Sequence, residues 1–157
     1  MTEVDMVAAL QDAFWWAAEH LLLHHTNPWE LDEALTAWGY SMGPCEAQDL
    51  LGLDRVLVRR PKPKGSILPR MVAEGRVGKI GGVGYYRYPG GGGAVIDPLI
   101  EDLIREEAWF ARANRVEISD AALVSMMNAA LRSALAENNA APSLLAKAVN
   151  FPQGRQV

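Results

Sequence analysis

An all-α fold built from two pseudo-repeated helix, corner and helix halves is what this sequence predicts, on three observations. Apolar residues recur at three- and four-residue steps along most of the chain, as one face of a helix requires. Pairs that start helices stand ahead of these segments: Asn27-Pro28, Gly43-Pro44 and Asp97-Pro98 each place a cap residue before a proline in the first helical position. The same unit then returns, because residues 141–149 (APSLLAKAV) lie over residues 27–35 (NPWELDEAL), pairing Pro28 with Pro142, Leu31 with Leu145, Ala34 with Ala148 and Leu35 with Val149. That offset also sets Ala17 on Leu131 and Leu21 on Leu135, so the long helices ahead of the repeat superpose as well.

The first long helix spans about residues 5–25, with Met6, Leu10, Ala13, Phe14, Ala17 and Leu21 on one face. Trp15, Trp16, Leu22 and Leu23 lie off that face, which predicts burial on two sides, by the core and by a partner. His24 and His25 close the helix as cations near its C-terminus. As neighbours they face different ways and do not share a metal. A short helix follows, capped by Asn27, with Leu31, Ala34 and Leu35 inward. Residues 38–54, WGYSMGPCEAQDLLGLD, form the corner around which the chain is organised. Gly39 fits a left-handed stop, and Gly43 and Pro44 begin a helix whose buried face is Ala47, Leu50, Leu51, Val56 and Leu57.

Residues 59–65, RRPKPKG, read as a solvated extended connector or, less readily, a phosphate-contacting loop. Ile67, Leu68, Met71 and Val72 mark a short helix over residues 67–73. Residues 75–88, GRVGKIGGVGYYRY, hold many glycines, but neither a strand before them nor a helical pattern after them supports a nucleotide loop. They predict a turn where backbone approaches other elements closely, with Tyr85, Tyr86 and Tyr88 packing inward. The run Gly90 to Gly93 divides the chain into a first unit at 1–89, a linker at 90–96 and a second, more degenerate unit at 97–157. In that second unit a helix runs from Pro98 to about Asn114. Another, capped by Ser119 and stapled by Ile118 and Leu123, ends at Asn138 and Asn139.

Bulk properties exclude several classes. The chain has 157 residues and a net charge of −4, which gives a nucleic acid no basic face to bind. The most apolar run, residues 13–23, contains Glu19 and His20 and is too short to cross a bilayer. Glu3 and Asp5 stand where a signal peptide carries positive charge. Cys45 is the single cysteine and forms no intrachain disulfide. A cytoplasmic protein without a membrane segment or a metal site is expected.

The motifs together resemble the C-terminal domain of L-3-hydroxyacyl-CoA dehydrogenases, in a tandem copy as in the longer bacterial enzymes. The first copy carries Gly39-Tyr-Ser-Met-Gly-Pro44, Asp49, Gly52-Leu-Asp54, Gly75-Arg-Val-Gly78 and Gly82-Val-Gly-Tyr-Tyr86; the second carries Val149-Asn-Phe-Pro152 and Gly154. Ser41 and Arg155 depart from the prolines of the pattern, and Lys79 is displaced by one. Ala8 occupies the position of an Asn that assists catalysis in the family.

The resemblance implies an all-helical fold like the C-terminal domain of 6-phosphogluconate dehydrogenase. It implies a part in the NAD-dependent oxidation of 3-hydroxyacyl-CoA to 3-oxoacyl-CoA, a β-oxidation step. Met42 and Gly43 are then candidates for the acyl-substrate wall, with core packing the other reading of Met42. Lys62, Lys64 and Arg70 are candidates for the CoA phosphates or simply surface cations. The chain has no GxGxxG unit in strand-to-helix context and no histidine matching the family's His/Glu pair. NAD, and every group that transfers hydride or proton, is therefore expected on an NAD-binding domain supplied in cis or in trans. No cofactor is expected on this chain, which alone is predicted inactive. Self-association is expected from the two apolar-sided helices. A free-standing, non-catalytic acyl-CoA-binding or assembly protein is the alternative.

Overall fold

The computed structural model describes residues 1–157 and is all-helical, with eight α-helices: α1 (Glu3–His24), α2 (Pro28–Trp38), α3 (Pro44–Leu51), α4 (Leu53–Val58), α5 (Ile67–Ala73), α6 (Pro98–Phe110), α7 (Asp120–Asn138) and α8 (Leu145–Val149). Isolated antiparallel bridges, Gly78 with Val83, Val83 with Arg87 and Arg87 with Val95, shape the glycine-rich turn between α5 and α6. No helix is long and apolar enough to cross a membrane.

Helix ends fall where local capping places them. Thr2 starts α1 with a capping box that includes Asp5, and Asn27, Asp97 and Ser119 each accept a backbone N–H at the start of their helices. Asn139, at φ 47°, ends α7 in the left-handed turn that asparagine tolerates. The helix expected to reach Asn114 stops at Phe110, four residues early. There Arg112 takes φ 56°, and the following segment turns to cover the end of α1.

The core runs through both halves of the sequence. Helix α1 is its axis: it packs against α7 and α8 on one side and touches α2, α3, α5 and α6 elsewhere. Leu10, Phe14, Trp15, Leu21 and Leu22 are almost wholly buried on it, so Trp15 and Leu22 complete a broad apolar face. Trp16 is 42% exposed and lines a groove of about 400 Å³ between α1 and α7, together with Ala13, Met126 and Ala130.

Two expectations are corrected. The buried face of α3 is not Leu50 and Leu51, which are 49% and 40% exposed; Cys45, Gln48 and Asp49 point inward instead. The helix is rotated so that Asp49 meets the glycine-rich turn, and a buried carboxylate with three donors outweighs two leucines left at the surface. The connector at 59–65 is not simply solvated. Arg60 is buried and bonds Glu19 on α1 at 2.7 Å, while Trp16 covers its guanidinium at 4.7 Å. Lys64 donates to the Leu57 carbonyl at 3.1 Å, satisfying the end of α4.

Glu19 explains why this charged pair persists in the core. Its carboxylate also accepts the backbone N–H groups of Ser66, at 3.2 Å, and Leu68, at 3.0 Å, and so caps α5, whose own first residue makes no side-chain cap. Gly65 leaves the room for it, because a Cβ there would stand 2.2 Å from Glu19 Oε2. Removing the guanidinium would strand a buried carboxylate with only backbone donors. Arg60→Ala is expected to cost about 3–5 kcal/mol, read as a lowered urea midpoint with an unchanged slope.

Candidate functional site

The corner is closed by a carboxylate the sequence reading did not single out. Gly43 has no side chain to cap α3, and Asp32 on α2 does the capping across space: Oδ1 accepts from Cys45 N at 2.9 Å and Oδ2 from Glu46 N at 3.0 Å. Gly43 has an ordinary φ of −73°, open to any residue. Space is what demands glycine, since a Cβ would stand 2.3 Å from the Asp32 carboxyl carbon.

Asp49 repeats the device one turn further on. Its Oδ1 accepts from Tyr85 N at 2.8 Å, and its Oδ2 from Tyr86 N at 3.0 Å and from the Tyr88 hydroxyl at 2.7 Å. The glycines of the turn fit around it: a Cβ on Gly84 would stand 2.1 Å from Asp49 Oδ1, and one on Gly78 would stand 2.3 Å from the Asp49 carbonyl oxygen. Gly78 also needs glycine for its φ of 114°. The glycine-rich segment is thus a fitted clasp over Asp49, and its amides are not gathered to cradle a phosphate.

Tyr86 joins the two carboxylates, since its backbone bonds Asp49 and its hydroxyl lies 2.7 Å from Asp32 Oδ2 and 3.2 Å from the Pro28 carbonyl oxygen. Burial pushes Asp32 up to about 7, opposed by the bonds from Cys45, Tyr86 and Glu46. Burial likewise raises Asp49 to about 6, opposed by Tyr88, Tyr85 and Tyr86. Geometry provides for both forms of Asp32. When it is ionised, the Tyr86 hydroxyl donates to it; when it is protonated, its own O–H donates to Tyr86 Oη and the tyrosine donates to Pro28. Cys45 is fully buried beside these groups and its thiol is pushed up by burial, which makes it inert.

The two corner segments meet. Ser41 N donates to Asn150 O at 3.2 Å, and the Tyr40 and Phe151 rings pack edge to face at 5.4 Å. Arg155 stacks over Trp38 at 4.5 Å, and the Tyr40 hydroxyl donates to buried Asn128 on α7 at 2.6 Å. Met42 is half-buried and packs against the core, and Gly43 is buried.

Of the candidate phosphate contacts Lys62 is exposed, and the other two are engaged elsewhere. Lys64 caps α4, and Arg70 pairs with Glu74, Glu106 and Glu107. At the end of α1, the cation at the terminal carbonyls is Arg115, which bonds Thr26 O at 2.9 Å and also Leu22 O, in place of the histidines expected there. The lysines and arginines were visible in the sequence, but Glu106 and Glu107 for Arg70, and the carbonyls at the end of α1 for Arg115, lie far along the chain. Asp32 and Glu19 left one usable signal, a carboxylate within an apolar helical face.

Asp32 yields a pH dependence. Its folded value lies above the usual 3.8, so between about pH 4 and 7 the native state holds a proton that the unfolded chain has lost. Its contribution is present in full below that window and is lost as pH rises through it. Compared with Asp32→Asn, which does not titrate, the wild-type chain should hold a stability advantage at pH 5 larger than at pH 8 by about 2 kcal/mol. Urea titrations of both proteins at the two pH values measure this difference of differences.

The family model for the 3-hydroxyacyl-CoA dehydrogenase C-terminal domain matches residues 6–88, which include Asp32, the corner, Asp49 and the glycine clasp. A peroxisomal fatty acid beta-oxidation multifunctional protein of Oryza sativa subsp. japonica is 29% identical over 122 residues, covering 69% of this chain and 17% of that protein. The crystal structure of the dehydrogenase part of multifunctional enzyme 1 from C. elegans shares the fold, with a TM-score of 0.74 at 20% identity, over 91% of this chain and 34% of that one. This chain therefore spans a minor part of each relative's length. With more than half of its residues matched, it belongs to the 3-hydroxyacyl-CoA dehydrogenase C-terminal domain family.

Proposed function

We propose that this chain is the helical C-terminal part of an NAD-dependent L-3-hydroxyacyl-CoA dehydrogenase, which oxidises 3-hydroxyacyl-CoA to 3-oxoacyl-CoA in fatty-acid β-oxidation. The observation that carries this reading is the family match over residues 6–88, inside which Gly43, Gly78 and Gly84 of the motif lie against Asp32 and Asp49. Met42 and Gly43 contribute the acyl-substrate wall: Asp32 fixes the backbone of the corner, and Met42 is left half-exposed on it. The tandem organisation, 1–89 and 97–157 about a linker at 90–96, belongs to the same reading and is supported by the direct meeting of the two corner segments.

NAD does not fit the residues of this chain. Its glycine-rich segment is packed on Asp49 and leads into no helix, so it offers neither the helix N-terminus nor the open amides that a pyrophosphate takes. Asp32 and Asp49 are buried and fully engaged, which removes them as bases for a bound substrate. In this reading the hydride acceptor and the proton-transferring groups sit on an NAD-binding domain in cis or in trans. The helical domain binds and positions the acyl chain and excludes water from it. A cytoplasmic location remains part of the proposal.

Self-association is supported by the exposed tryptophan and methionine on the α1/α7 groove. Sedimentation over a range of concentrations should show a reversible dimer, and a monomer at every concentration would remove that part of the reading. For the chemistry, the chain alone with acetoacetyl-CoA and NADH is expected to give no steady loss of NADH absorbance, and adding the NAD-binding domain of a related dehydrogenase is expected to produce one. Turnover by the isolated chain would overturn the division of labour. Saturable binding of acyl-CoA by the chain alone, without rescue by the added domain, would favour the non-catalytic binding protein.

A further inference from the structure

Away from the corner, the last turns of α1 carry three histidines that nothing in the dehydrogenase reading uses. The adjacent pair points apart: His25 Nδ1 donates to the Val116 carbonyl at 2.7 Å, and its ring centre is 6.0 Å from that of His24. His20 and His24, one helical turn apart, share a face. Their ring centres are 4.5 Å apart, with the planes inclined at 44°. Two imidazoles bound in cis to one ion at about 2.1 Å each place their ring centres roughly 4.6 Å apart when they meet the ion at a right angle. The helix therefore already holds the rings at the separation of a chelate.

Access agrees with this geometry. His20 is exposed and His24 is half-buried, so an ion reaches both from solvent. From the ring separation and the shared open face, we infer that His20 and His24 form a two-histidine site for a divalent transition-metal cation of the Zn²⁺, Ni²⁺ and Cu²⁺ class.

No group of three or more His, Cys, Asp or Glu side chains is arranged to hold a metal ion. The protein thus supplies two nitrogens and solvent fills the remaining positions, unlike a closed structural zinc site. This donor set selects ions that favour imidazole over Mg²⁺ and Ca²⁺, which take oxygen ligands. The sequence predicts no metal site; the adjacent spacing of His24 and His25 does exclude a shared ion, whereas the one-turn spacing of His20 and His24 does not. The site stands independently of the proposed enzymatic role.

Calorimetric titration of the untagged chain with NiCl₂, and separately with ZnCl₂, tests it. One saturable site per chain is expected for each ion, with none for MgCl₂. His20→Ala and His24→Ala should each weaken binding by roughly tenfold or more, with unchanged far-ultraviolet circular dichroism; His20, being exposed, can be replaced without touching the core. Absence of saturable binding by the wild-type chain, binding that survives either substitution at full strength, or equal binding of MgCl₂ would overturn the assignment.

Discussion

Two carboxylates held beneath the corner, Asp32 and Asp49, are the constraint on which the arrangement of α2, α3 and the glycine-rich turn depends. Each gathers three donors from segments distant in sequence, and Tyr86 ties one to the other. Taking a carboxylate out of water costs several kcal/mol. Hydrogen bonds to a charged group return about 1.5–3 kcal/mol each, so three per carboxyl offset part of the cost while every donor is in place, and burial still raises the pKa of both groups. That condition transmits rigidity. The backbone of α3 and of the tyrosine segment is fixed by the same atoms, and any shift of one leaves a charge unpaired.

Two glycines of the family motif follow from these carboxylates. Gly43 and Gly84 are occupied, in effect, by the oxygens of Asp32 and Asp49, and Gly65 makes the same concession to Glu19. At these positions a residue that reads as a turn glycine is the imprint of an acidic side chain from elsewhere. Polar clasps recur further out. Arg76 bonds Asp97 at 2.9 Å and the Gly84 carbonyl at 3.0 Å, joining the glycine turn to the start of α6. Arg115 closes α1 from beyond α6. The apolar core supplies the bulk of the driving force, and these clasps fix how its helices are set against one another.

For function, the consequence is a rigid scaffold. The groups with strongly perturbed protonation are sealed under the corner, so their perturbation reports structural burial and not a catalytic cleft. Under the proposed reading, such a scaffold presents a wall of fixed shape to an acyl chain while the reacting atoms are handled elsewhere. The meeting of Tyr40 with Phe151 and of Ser41 with Asn150 gives the first corner a second support from the end of the chain. The departures at Ser41 and Arg155 fall in this contact: Ser41 supplies the N–H that a proline would lack, and Arg155 stacks on Trp38.

The sequence by itself determined the helices and most of their ends. Capping residues, N1 prolines and three-to-four periodicity act within one or two turns, so Asn27, Pro44, Asp97, Ser119 and Asn139 could be read locally and stand where they were placed. It also carried the family, because the spaced corner and glycine motifs are local strings. Only the tertiary structure decided which polar groups go inside. Leu50 and Leu51 lie outside while Asp49 lies inside, and Arg60 leaves an apparently solvated loop to meet Glu19, because each of these choices depends on a partner 36 to 41 residues away along the chain. Periodicity records which residues share a face. It does not record what that face meets, and for a buried charge the partner decides whether burial is tolerable at all.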